Sequence, residues 1–232
     1  MKKLLSLAVI LLSLISTPAT LAAQEKQSAP APKMIEFHMA LMKRGPKWAP
    51  GLNKDKLHAS YLLNLLTSGR AVIAGPLGDD IELVNVYILR ASSAAEAKTW
   101  AEEDPAVKDG RLIVEMHPWW SEEVMKPPTK PIKFTTAYLA FLTRGAKWTP
   151  EKTPATEEIQ KAHIANINRL AELKKLVVAG PFGDNGTLRG IFVFKVASLE
   201  EAKELAETDP AVKAGRLALD VQPWLVPEGV LP

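Results

Sequence analysis

Asp104-Pro105-Ala106-Val107-Lys108-Asp109-Gly110-Arg111-Leu112 is written a second time, with one residue changed, as Asp209-Pro210-Ala211-Val212-Lys213-Ala214-Gly215-Arg216-Leu217. Working outward from this pair, Ala74-Gly75-Pro76 is matched by Ala179-Gly180-Pro181, His58 by His163 and Trp119 by Trp224. The separations 209−104, 180−75, 163−58 and 224−119 all equal 105. Upstream of the histidine the offset is 100, as in Arg44-Gly45-Pro46-Lys47-Trp48 against Arg144-Gly145-Ala146-Lys147-Trp148. The second copy therefore carries five extra residues around positions 151–155. A period this long, with several matched blocks, marks the tandem duplication of a whole domain rather than a solenoid.

The flanks set the boundaries. Met1-Lys2-Lys3, an apolar run over residues 4–15 and small residues around Ala19 to Ala23 have the layout of a signal peptide, expected over residues 1–23. Export places the mature chain in the periplasm or outside a bacterial cell. Removing Lys2 and Lys3 leaves 27 basic against 26 acidic residues, about +1, where the full chain has +3. With no cluster of Lys and Arg interleaved with aromatics, nucleic acid is not an expected partner, nor is a membrane once the signal is gone. The chain has no cysteine, which rules out disulfides, thiolate metal sites and thiol nucleophiles. Residues 24–33 read as a flexible leader, 34–120 as the first domain, 121–132 as a Pro-rich linker, 133–226 as the second domain and 227–232 as a tail lying outside it.

Within each unit the periods are clear. Residues 34–43 alternate Ile35, Phe37, Met39 and Leu41 with Glu36, His38, Ala40 and Met42, a strand pattern. Residues 54–68 place Leu57, Tyr61, Leu62, Leu65 and Leu66 on one helical face, ended by Gly69. A short apolar strand runs to Gly75-Pro76, a second follows over 83–90, a helix with Ala94, Ala97 and Ala101 on one side covers 93–102, and a last strand covers 111–119. Asp184-Asn185-Gly186 marks the hairpin between the second and third strands of the second copy. The order βαββαβ is the ferredoxin-like arrangement. Stretches such as Val86-Tyr87-Ile88-Leu89 and Ile191-Phe192-Val193-Phe194 are apolar on both faces, although helices can cover only one. The fold class expected is therefore α+β, with two ferredoxin-like units packed sheet to sheet as a fused dimeric α+β barrel. A further homodimer of the whole chain is left open.

Right-handed crossovers decide where the repeated residues meet. The end of strand one, the start of helix one, the end of strand two and the start of strand four share one edge, which gathers Arg44 to Trp48, His58, Gly75 to Asp79, Asp104 and Arg111. Trp119 and Trp224 fall at the opposite edge and read as packing.

This combination of helix-one histidine, Ala-Gly-Pro, Ala-rich helix, Asp-Pro-x-Val-x-x-Gly and terminal Pro-Trp resembles the YCII-related family over residues 34–120 and 133–226. The resemblance implies a fold similar to the muconolactone-isomerase-like dimeric α+β barrels. It also implies a His-Asp site, here His58 with Asp104 and His163 with Asp209. Some relatives are dehydrochlorinases acting on chlorinated aromatic-pathway intermediates. An exported, fused chain departs from the usual single cytoplasmic domain.

The residues carry their own readings. A histidine beside a carboxylate has the makings of a general base, or it is a core histidine satisfied by backbone. Asp104 and Asp209, each followed by proline, read as helix N-caps, a role compatible with a second bond to histidine. Arg44, Lys47 and Trp48, with Arg144, Lys147 and Trp148, form either an anion-binding, ring-stacking gate or a packed indole among solvated charges. Arg111 and Arg216 meet a substrate carboxylate or pair with a nearby acid. Gly75 and Pro76, with Gly180 and Pro181, read as turns whose backbone lines the pocket. Asp79 and Asp184 are weaker candidates, and His38 and His117 read as structural. One His-Asp pair per site supplies too few ligands for a metal, and no cofactor motif is present. Function is thus expected to be the binding of a small anionic or aromatic metabolite, with isomerase- or lyase-type proton transfer by His-Asp as the enzymatic form. The alternative is a non-catalytic ligand-binding or envelope interaction module. One functional histidine beside one inert one would mean that a single half has become structural.

Overall fold

In the computed structural model, residues 33–77 and 81–232 are described. The expected signal peptide, most of the leader, and Asp79 lie outside them. The first repeat runs β1 (Met34–Arg44), a 3-10 turn (Leu52–Lys54), α1 (Lys56–Thr67), β2 (Ala71–Pro76), β3 (Leu83–Leu89), α2 (Ala94–Glu102), α3 (Pro105–Lys108) and β4 (Leu112–Glu122). The second runs β5 (Phe134–Arg144), α4 (Pro154–Glu172), β6 (Leu176–Pro181), β7 (Leu188–Phe194), α5 (Leu199–Glu207), α6 (Pro210–Lys213) and β8 (Leu217–Pro227). Each repeat is βαββαβ with one extra short helix, which begins at the repeated Asp-Pro. The sheets have the orders β2-β3-β1-β4 and β6-β7-β5-β8, antiparallel throughout.

The alternation in β1 becomes two cores. Phe37, Met39 and Leu41 face the second sheet and join Leu139, Phe141, Ile191, Val193 and both buried tryptophans in one apolar interior shared by the two halves. Ala40 and Met42 face the helices with Leu62, Leu65, Leu66, Ala97 and Ala101. The second half repeats the helix-side layer with Leu142, Leu170, Phe192, Phe194, Ala202 and Ala206. The alanines let α2 and α5 approach the sheets closely.

The sheets close on one another edge to edge, β2 beside β8 and β4 beside β6. This corrects the expectation for the Gly-Pro pairs. They are not turns: both lie inside strands, at the seam where the last strand of the other half crosses. A Cβ on Gly75 would come within 1.8 Å of the Leu225 carbonyl oxygen, and one on Gly180 within 1.8 Å of that of Trp120. Trp224 Nε1 donates to the Gly75 carbonyl and Trp119 Nε1 to that of Gly180, each at 3.1 Å. The tryptophans are packing residues, as expected, and they also bond across the seam.

Two further boundaries move. β4 continues to Glu122, and Met125 in the expected linker is buried in the shared interior. β8 runs on to Pro227, and Val230, in the expected tail, is buried in that same interior. The two segments also bond each other, Lys126 N–H donating to the Val230 carbonyl at 3.0 Å.

Candidate functional site

Helix α1 begins where Asp55 caps it, accepting from the N–H groups of Leu57 and His58. That start sets the phase of the helix: His58, Leu62, Leu65 and Leu66 point at the sheet, and Leu57, expected on the inner face, is 68% exposed. The backbone N–H of His58 is the largest influence holding the Asp55 carboxyl below its usual range, and Arg111, 2.6 Å away, adds to it. Arg111 therefore pairs with a nearby acid and ties the start of β4 to the start of α1.

Behind that cap the first His-Asp pair is made. His58 Nδ1 donates to the Asp104 carboxylate, 3.0 and 2.9 Å from its two oxygens, and both side chains are 0% exposed. Asp104 Oδ1 also accepts from Ala106 N–H at 2.8 Å, so the carboxylate caps α3 and holds the histidine together. Two residues that sequence reasoning missed complete the group. Tyr87 donates its hydroxyl to Asp104 Oδ2 at 2.7 Å, and the Asn85 amide nitrogen lies 3.1 Å from His58 Nε2. Burial, then the Asp104 charge, push the Tyr87 phenol well above its usual range, which keeps it a donor. With Nδ1–H facing the carboxylate, Nε2 is the acceptor for the Asn85 amide. Both imidazole nitrogens are engaged. The available signal is an asparagine within the apolar run Leu83–Leu89, since a buried amide needs partners.

The second pair has the same core and different surroundings. His163 Nδ1 lies 2.7 Å from Asp209 Oδ2, while Asp209 Oδ1 caps α6 through Ala211 N–H at 2.8 Å and Val212 N–H at 3.3 Å. The positions of Asn85 and Tyr87 are occupied by Gly190 and Phe192. The Phe192 ring stacks on the imidazole at 5.9 Å and supplies no hydroxyl. Among the described residues His163 Nε2 has no hydrogen-bond partner, and the side chain is 13% exposed. This imidazole keeps one ring nitrogen without a partner among the described residues, whereas both nitrogens of His58 are bonded and buried.

The remaining candidates divide. The Arg44–Trp48 and Arg144–Trp148 loops do reach the expected edge: Gly45 N–H bonds the Arg111 carbonyl at 2.8 Å, and Gly145 N–H that of Arg216 at 2.9 Å. The Arg44 guanidinium lies 5.1 Å from the Trp48 ring and that of Arg144 3.9 Å from Trp148. The stems of Lys47 and Lys147 run over Gly110 and Gly215. Arg216 bonds the Thr149 hydroxyl and carbonyl, at 3.1 and 2.8 Å, instead of an acid. Gly75 and Gly180 are committed to the seam, and Pro76 and Pro181 follow as the strand residues opposite Asn85 and Gly190, so none of the four forms the expected pocket-lining turn. Asp184 bonds His117 across the two halves at 2.5 Å, and Glu115 holds the other ring nitrogen at 2.9 Å. His117 is structural in this sense: it clasps β4 to the β6–β7 connection.

Comparison with known proteins agrees with this architecture. A relative from Bacillus subtilis (strain 168), the uncharacterized protein YjpA, is 36% identical over 76 residues, which is 31% of this chain and 87% of that protein. The fold is similar to that of a chlorite dismutase from Candidatus Nitrospira defluvii (TM-score 0.54, 12% identity, 85% of this chain and 92% of that one). A heme-binding protein from Thermus thermophilus is similar at TM-score 0.49, with 14% identity over 84% of this chain and 92% of that one. At 12% identity the likeness to the chlorite dismutase speaks for the fold alone. The family model of the YCII-related domain matches residues 18–119 and 141–225, so the chain belongs to the YCII-related family, with two copies of the domain in one polypeptide.

Proposed function

We propose that this is a small-molecule-binding protein whose working site is in the second half. There His163 acts as general base and acid toward a small anionic or aromatic ligand, and Asp209 orients it. The observation that carries this reading is the Nε2 of His163, without a partner among the described residues on a side chain 13% exposed, set against the doubly bonded and sealed His58. Proton transfer of the isomerase or lyase type requires a base within reach of the substrate proton and a carboxylate to fix its tautomer; the second site has both elements. The first site, by the same criteria, is a structural relic of the duplication.

A haem does not fit these residues. Leu142, Leu170, Phe192 and Phe194 close the helix side of the second sheet, each at most 3% exposed, and the Phe192 ring already lies against the His163 imidazole. Export, proposed from residues 1–23, is checked by sequencing the N-terminus of the protein recovered from the bacterial envelope and medium.

Two measurements test the site. Diethylpyrocarbonate should modify His163 and spare His58 in the folded protein, read by peptide mass mapping. A panel of small carboxylates and lactones with an acidic C–H should then be followed by NMR in deuterium oxide. Exchange that is lost in His163→Gln establishes the acid-base role. Binding without exchange in the wild type would leave the ligand-binding module and remove the enzyme.

A further inference from the structure

The strand that relieves His163 of its amide partner also brings a new cation. Where the first half has the buried Val84, β7 has Arg189, directly before the Gly190 that stands in the place of Asn85. Arg189 Nη1 is shielded from solvent and has no acceptor among the described residues. A buried guanidinium donor without an acceptor is costly, and native structures rarely keep one without a reason. Its guanidinium lies 5.7 Å from the Trp148 ring, on which the Arg144 guanidinium also sits at 3.9 Å. Arg144 donates to the Asn185 carbonyl at 2.5 Å, and among the described residues neither arginine forms an ion pair with a carboxylate. Two permanent cations thus share one indole without a carboxylate partner among the described residues, an arrangement that favours the uptake of an anion.

We propose that Arg189, assisted by Arg144 across Trp148, binds the oxyanion of a small ligand at the edge of the second half and so places that ligand beside His163. The class is a planar or tetrahedral oxyanion, a carboxylate or a phosphate, which the guanidinium fork can meet with two parallel hydrogen bonds. The link to His163 rests on the functional reading above; the anion site itself does not. The first half has valine, Val84, at this position and so lacks this guanidinium.

The test uses the mature full-length protein, titrated by calorimetry with benzoate, inorganic phosphate and, as a neutral control, benzamide. Benzoate or phosphate is expected to bind, and whichever binds names the source of the oxyanion; benzamide is expected not to. Arg189→Val, which installs the residue the same fold already carries in the first half, should weaken binding at least tenfold, equivalent to about 1.4 kcal/mol. Arg189→Lys should fall between the two. If neither anion binds the wild type, or if Arg189→Val binds as the wild type does with an unchanged circular dichroism spectrum, the proposal is overturned. His163→Ala should keep the anion affinity. Retained affinity with no proton exchange in the wild type would therefore defeat the acid-base reading and leave the anion site standing.

Discussion

The two halves are the same fold with the same His-Asp bond, and the residues that face that bond differ along a single strand. In β3 the positions are Val84, Asn85 and Tyr87; in β7 they are Arg189, Gly190 and Phe192. In the first half the amide and the phenol saturate the pair and close it off, giving a buried polar network in which, among the described residues, only the Asn85 carbonyl oxygen lacks a partner. In the second half, among the described residues, the same positions leave one imidazole nitrogen unused and add an arginine whose buried Nη1 has no acceptor. Duplication supplied two copies of a His-Asp pair. On the reading proposed above, one copy serves stability and the other meets a ligand. A histidine and an aspartate alone do not make a site; the neighbours on the adjacent strand decide whether the pair is a clasp or a tool.

The largest expected effect concerns what the halves share. Gly75→Ala or Gly180→Ala drives a methyl into the opposing carbonyl at the seam, and each should cost at least about 3 kcal/mol through forced strand displacement. Urea denaturation followed by tryptophan fluorescence measures it. Near-equal losses at the two glycines would affirm the two-fold symmetry of the barrel, and a loss at only one would break it.

The histidines should separate. His58→Ala leaves Asp104 buried with a missing partner and opens a hole in the core, a loss of about 3 kcal/mol. His163→Ala, at a partly exposed ring, should cost about 1 kcal/mol. Equal urea midpoints for the two variants would sink the division of labour between the halves.

A smaller change makes the first site more like the second. Tyr87→Phe removes one hydrogen bond to the Asp104 carboxylate and should cost about 1.5 kcal/mol. It should also make His58 more reactive to diethylpyrocarbonate if Tyr87 helps to hold the group shut. Unaltered reactivity would assign the seal to Asn85 and the helix packing alone.

The smallest effect is at the clasp between the halves. Lys43, first, and His117 hold the Glu115 carboxyl below its ordinary 4.5. Burial pulls the Asp184 carboxyl upward, but the His117 ring and the Gly186 N–H together bring it below its ordinary 3.8. Carboxyls depressed in the folded state add stability above their unfolded values and lose it as pH falls through the folded ones. The melting temperature should therefore begin to decline as pH drops below about 4.5 and continue to fall beneath about 3.8. His117→Gln should make that acid decline shallower; an identical acid limb in this variant would show that the clasp contributes nothing.

How much of this is legible in the chain follows from the kind of information each feature needs. The duplication, the strand and helix periods, the Asp-Pro caps and the meeting of His58 with Asp104 are matters of spacing and of direction along the chain, and spacing is visible in one dimension. The Gly-Pro pairs read as turns because a glycine needed for backbone approach by a distant strand is written the same way as a glycine needed for a turn. Leu57 reads as an inner residue when the apolar run is the guide, whereas the Asp55 cap sets the helical phase and puts a histidine in the core. Asn85 and Tyr87 are hidden inside an apolar strand, since a strand with both faces buried offers no polar side against which a functional residue stands out.

By itself, then, the sequence determined that there are two ferredoxin-like units, that they close on one another, and that each carries a histidine within reach of a capping aspartate, because those features follow from local period and chain direction. Only the tertiary structure decided which pair is sealed and which is more open, that the tryptophans bond across the seam, and that Arg189 Nη1 has no acceptor among the described residues. Those outcomes depend on contacts between residues tens of positions apart, where hydrogen-bond saturation and exclusion of water are properties of the assembled packing and not of any segment.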